Sequence, residues 1–118
     1  MWTFTHTITL VAASGNGIES AAAIVDKGAT FTVIPAPILE RLGVVPERVI
    51  RIRLADGTTV ERPLGTVRAR LNGTEGPILC LFGGPDDPAV IGAHALEGFL
   101  LAVDPVGMRL VPVDAIWV

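Results

Sequence analysis

Ala22-Ala23-Ile24-Val25-Asp26-Lys27-Gly28-Ala29-Thr30, running on into Phe31-Thr32-Val33-Ile34, decides how this chain is read. An apolar run delivers one carboxylate, a glycine follows two residues later, and a second apolar run leads away. Strands buried on both faces read as continuous apolar runs, and an acid at the end of one is costly to desolvate. Such a carboxylate must be paired, hydrogen-bonded or protonated, and each of those states serves either structure or catalysis.

Outward from that stretch the elements are short and mostly extended. Residues 3–12 alternate, with Phe4, His6, Ile8 and Leu10 on one side and Thr3, Thr5, Thr7 and Thr9 on the other, which predicts a strand. His6, on the apolar side, is expected to be a core histidine bonded to backbone, because no second ligand lies at metal spacing. Ser14-Gly15-Asn16-Gly17 is a turn, and its Gly-x-Gly lacks the third glycine and the following helix of a phosphate loop. A return strand over 18–25 leads to Asp26. Beyond it a strand is expected over 30–34, stopped by Pro35-Ala36-Pro37, then a short helix over 38–42 closed by Gly43.

Residues 49–54 set Val49, Ile50, Ile52 and Leu54 against Arg51 and Arg53, and Asp56-Gly57 signals a hairpin turn into a return strand. This hairpin is polar enough to project from the body. Pro63-Leu64-Gly65 predicts a break, residues 66–71 alternate again, and Asn72-Gly73 turns the chain. Residues 78–82 form an apolar strand in which Cys80 is a small core residue. A loop over 83–88, the apolar Ala89-Val90-Ile91-Gly92, a helix over 93–98, and strands over 99–103 and 108–113 complete the chain, which ends on Ile116-Trp117-Val118. Turn signals about every ten residues between short strands predict a small all-β barrel or sandwich.

The length of 118 residues suits one domain over 1–118, long enough to bury a real core. Half of the residues are apolar, so apolar surface is expected to be buried between chains or in a larger than usual core. The net charge is −3 and the nine basic residues form no cluster, which argues against nucleic acid and membrane as partners. No apolar run approaches the ~18 residues of a membrane span. Met1-Trp2-Thr3-Phe4 lacks the basic start of a signal peptide, so a cytoplasmic location is expected.

The available chemistry is narrow. Cys80 lies mid-strand without a placed base, and no serine sits in a Gly-x-Ser-x-Gly elbow. Two histidines and one cysteine are too scattered for a metal site, and neither metal nor cofactor is expected. What remains is a carboxylate acting as acid or base. A lone Asp26 has no partner acid nearby, but on a two-fold axis it would meet its own copy. Two carboxylates in contact share a proton, so that one activates water while the other protonates a substrate carbonyl.

Residues 23–34, with their apolar-apolar-Asp-x-Gly-Ala core, resemble the active-site segment of retropepsin-like aspartic proteases. The helix over 38–43 follows as in the bacterial and archaeal members of that family. The Asp56-Gly57 hairpin lies where the family carries its flap, and Val90-Ile91-Gly92 is similar to its second signature. Residues 96–113, with Val103-Asp104-Pro105 and Leu110-Val111-Pro112, are similar to the tail of non-viral members. The resemblance implies a small, closed, mostly β fold with one or two short helices, active as a symmetric homodimer. It implies Asp26 as the catalytic residue of each chain, and Gly28, Ala29, Ala55, Asp56, Gly57 and Thr58 as substrate-binding. The substrate would be a peptide or an unfolded protein. Residues 1–4 and 116–118, carrying Trp2 and Trp117, would interleave between copies as the termini of viral members do, unless the tryptophans merely cover core or sheet edges.

The pattern departs from the family at Lys27. The Thr or Ser found there in the family implies a hydrogen-bonded grip between the two loops, whereas lysine offers no acceptor and adds a charge. Three readings follow from the residues: a homodimeric endopeptidase, the same fold kept as a catalytically impaired peptide-binding or assembly domain, and a β-barrel module in which Asp26 caps a turn.

Overall fold

A computed structural model describes residues 3–118, so the expectations for Met1 and Trp2 lie outside the described residues. The threonine-rich alternation becomes β1 (Phe4–Val11), which pairs with β2 (Ile18–Val25) along its whole length, from Phe4↔Val25 to Val11↔Ile18. Then come β3 (Thr32–Pro35), α1 (Ala36–Arg41), β4 (Arg48–Arg53), β5 (Thr59–Leu71) and β6 (Thr74–Gly83). They are followed by β7 (Val90–Ile91), α2 (Ala93–Gly98), β8 (Leu101–Asp104) and β9 (Arg109–Pro112). The protein is mostly β, as its turn spacing predicts.

Among the described residues seven strands join in the order β1-β2-β7-β3-β6-β5-β4. A further pairing of β1 with β5, Thr9↔Arg70 to Val11↔Arg68, brings the order round into a ring, with β4 attached outside it through β5. β8 and β9 form a separate two-stranded ribbon. The ring encloses Ile8, Leu10, Ile34, Leu39, Leu71 and Ile91, all essentially without solvent contact. Cys80 sits among them as a small core residue, and burial pushes its thiol up to about 12. His6 is half-buried and its Nδ1 donates to the Thr7 carbonyl at 2.8 Å. No helix among the described residues is long and apolar enough to cross a membrane.

Several boundaries differ from expectation for identifiable reasons. α1 begins at Ala36, because Pro37 falls in the first turn, where a missing N–H breaks no helical bond. Gly43, at φ +74°, ends the helix as expected, donating to the Glu40 carbonyl at 3.0 Å. Pro63-Leu64-Gly65 does not break the chain: β5 runs through it for 13 residues. Pairing with β6 starts at Leu64, so Pro63 has a neighbouring strand on one side only and its missing N–H disrupts no second ladder. Gly65 is closely packed: a Cβ there would lie 3.0 Å from the Val45 carbonyl oxygen and 3.1 Å from the Val44 side chain, so these neighbours would have to give by a few tenths of an ångström. β8 starts at Leu101, because Phe99 caps α2 and Leu100 takes the left-handed conformation, φ +55°.

Candidate active site

Asp26 stands one residue beyond β2, and the loop it opens is held against residues 91–94. β2 and β7 run parallel, with Ile24 opposite Val90 and Val25 opposite Ile91. The Asp26 N–H donates to the Ile91 carbonyl at 3.0 Å, continuing that ladder. The loop turns back on itself where the Ala29 N–H donates to the Asp26 carbonyl at 3.1 Å. Two more bonds fasten its far side: the Ala93 N–H to the Ala29 carbonyl at 2.8 Å and the His94 N–H to the Thr30 carbonyl at 3.0 Å. Beneath it the Gly92 N–H donates to Oγ1 of the fully buried Thr32 at 3.2 Å. No side chain fits at Gly92, since a Cβ would lie 2.5 Å from both the carbonyl carbon and oxygen of Phe31 and 2.9 Å from the Ala29 oxygen.

The carboxylate itself is half-buried. Its Oδ1 accepts from the Gly28 N–H at 2.9 Å, the only donor to it among the described residues. That bond is an Asx-type turn, which requires the short side chain of Asp26 and fixes its direction. The rest of the carboxylate's hydrogen-bonding capacity is left for what enters from solvent.

A groove of about 570 Å³ opens at this point. Asp26, Gly28, Ala29 and Phe31 line it, and so does the run from Ile50 to Ala55, which comprises most of β4 and the start of its turn. The structure thus brings Asp26, Gly28, Ala29 and Ala55 to one groove. Asp56, Gly57 and Thr58 lie at the hairpin tip, outside its lining. There the Asp56 Oδ1 accepts from the Thr58 hydroxyl at 2.6 Å and the Thr58 N–H at 2.9 Å, which holds its carboxyl below the usual range. Gly57 supplies the φ of +88° that the turn needs.

A second hollow of about 260 Å³ shares Asp26, with Thr3, Phe4, Val25, Lys27, Val103 and Pro105 around it. Lys27 is exposed there. Among the described residues no three His, Cys, Asp or Glu side chains gather as metal ligands would. Sequence reasoning missed Phe31, Val33, Ile50, Ile52 and Leu81 as groove residues. The alternation of 49–54 marked the strand, but which side of it would border the acid depended on pairing that no local pattern carries.

A family model described as aspartyl protease matches residues 11–93. Among solved structures the chain is similar to the simian foamy virus (mac) protease, with 17% identity and a TM-score of 0.54 over 78% of this chain and 92% of that one. It is similar to the foamy viral protease-reverse transcriptase in complex with an RNA/DNA hybrid, with 13% identity and a TM-score of 0.58 over 96% of this chain and 13% of that one. The EIAV protease in complex with an inhibitor gives 18% identity and a TM-score of 0.60 over 93% of each chain. At these identities the likeness is one of fold. No curated protein matches the sequence.

Proposed function

We propose that this chain, which belongs to the aspartyl protease family, is a retropepsin-like endopeptidase in which Asp26 of two copies forms the catalytic pair. The observation that carries the reading is the clamped Asp26 loop at the wall of a groove bordered by a strand. In the dimer, the two carboxylates share one proton, because both cannot ionise readily in contact. The ionised carboxylate takes a proton from water as the water oxygen attacks the peptide carbonyl carbon. The protonated one gives its proton to the carbonyl oxygen, producing a neutral gem-diol. One carboxyl then protonates the amide nitrogen while the other carboxylate takes a proton from a gem-diol hydroxyl; the carbon–nitrogen bond breaks to give acid and amine, and the pair again holds one proton. The exposed Ile116, Trp117 and Val118 support a second copy, since apolar side chains so open to solvent mark surface that a partner covers.

A second reading is favoured by Lys27, which lies in the same turn as Asp26 and beside the same hollow. Two ammonium groups approaching the axis would oppose association, leaving a domain that binds peptides without cutting them.

One experiment separates the two. Wild type is expected to sediment as a dimer and to cleave an unfolded protein best at acidic pH. Asp26→Asn should abolish cleavage with an unchanged circular dichroism spectrum. Cleavage that persists in Asp26→Asn overturns the endopeptidase reading. A monomer that binds peptide without cutting it establishes the second reading, and Lys27→Thr is then expected to restore association and activity together.

A further inference from the structure

Ile50, Arg51, Ile52, Arg53, Leu54 and Ala55 line the groove as an unbroken run. Successive side chains of a strand point to opposite faces, so a groove bordered by one face touches every second residue. A groove that touches each in turn is bordered by the strand's edge. That edge is open: β4 is last in the strand order and, among the described residues, pairs with β5 alone. Unpaired backbone N–H and C=O groups along a groove accept an extended peptide as one more strand. Side chains of the added strand would then stand beside those of β4. Those on one face would meet Ile50, Ile52 and Leu54, and those on the other would meet Arg51 and Arg53.

The second of these faces carries two guanidinium groups that stand in no ion pair among the described residues. Among the described residues the ion pairs join Arg41 to Glu19, Arg68 and Arg70 to Glu75, and Arg109 to Asp104. Arg51 and Arg53 make none. Across the ladder Arg51 faces Glu61 without forming an ion pair, and Arg53 faces the uncharged Thr59. Both guanidinium groups are exposed beside the groove, and each can grip a carboxylate with two parallel hydrogen bonds. We infer that the groove selects extended peptides in which apolar and acidic residues alternate, with Arg51 and Arg53 reading two acidic side chains two positions apart. The inference rests on the endopeptidase reading and adds to it a class of substrate.

The test uses the Asp26→Asn protein, so that binding is read without cleavage. Two labelled peptides share their apolar positions, and one carries Glu where the other carries Gln at the alternate positions. At pH 7 and low salt the Glu peptide is expected to bind roughly five-fold more tightly, the scale of two partly exposed ion pairs. The preference should shrink in salt of about 0.5 M, where the screening length is roughly 4 Å. It should disappear in Arg51→Gln/Arg53→Gln. Equal binding of the two peptides, a preference that survives in the double variant, or no binding of either peptide overturns the inference. The endopeptidase reading is judged apart from this, by cleavage of an unfolded protein by the wild type, and stands or falls on that result.

Discussion

Thr32 is the only buried polar or charged residue among those described, and its hydroxyl has one task there: to accept the Gly92 N–H under the Asp26 loop. Thr32→Val keeps the branched shape and removes the acceptor, stranding a buried donor. The expected loss is about 2 kcal/mol, the usual penalty for an orphaned buried N–H, read as a lower midpoint in denaturant. Thr32→Ser keeps the oxygen and should lose clearly less. If Val costs no more than Ser, the hydrogen bond is not what holds the two segments. In the sequence Asp26 stood out because an acid ended an apolar run, and Val90-Ile91-Gly92 stood out as an apolar run ending in glycine. The family resemblance made both stretches signatures, but that the two touch is visible only in the structure. Thr32 and Gly92 are 60 positions apart, and nothing local to either points at the other. Thr32 itself read as an ordinary strand residue.

The β4–β5 hairpin was legible at its turn and obscure in its course. Asp56-Gly57 announced it, and the structure adds the Leu54 N–H to Thr58 carbonyl bond at 2.8 Å that closes the turn. Pro63 and Gly65 hid the continuity of β5, because both disfavour strands in isolation. What overrides them is tertiary: a one-sided neighbour at Pro63 and the backbone of Val45 pressed against Gly65. Since β4 is paired on one side and its Arg48, Val49, Arg51 and Arg53 are exposed, its amides should open more readily than those of β2, which lies between β1 and β7. Native-state hydrogen exchange is expected to show the β4 amides less protected than Ala23 and Val25, by about tenfold or more. Equal protection would mean that the hairpin is held as firmly as the ring.

At the scale of the whole molecule, acid weakens what it holds together. The Arg41 side chain hydrogen-bonds Glu19, the Thr58 hydroxyl hydrogen-bonds Asp56, and the Arg70 and Arg68 side chains hydrogen-bond Glu75. The Gly107 N–H and then Arg109 do the same for Asp104, and all four carboxyls lie below their ordinary values. A carboxyl with a lowered folded pKa binds fewer protons folded than unfolded. Its contribution is therefore complete above the ordinary carboxylate range and is lost as pH falls through the folded values. Asp56 and Glu75 are exposed, and Glu19 and Asp104 are half-buried at the surface, so each contribution is small. Tm is expected to be flat from neutral pH down to about 5 and to decline below about 4; a scanning-calorimetry series in which Tm rises below that point contradicts the assignment. The acid that suits a shared-proton pair thus works against the scaffold. The β fold was legible from turn spacing, but the choice between barrel and sandwich was not, because it depends on β1 meeting β5, a pairing between strands distant in sequence. The clamp on the Asp26 loop also sets an order in time. Asp26 leaves the ribosome early, while its fastenings at Ile91, Ala93 and His94 leave it late. The Thr9↔Arg70 contact is likewise of the long-range kind that forms slowly. A nascent chain therefore carries the acid long before it carries the geometry.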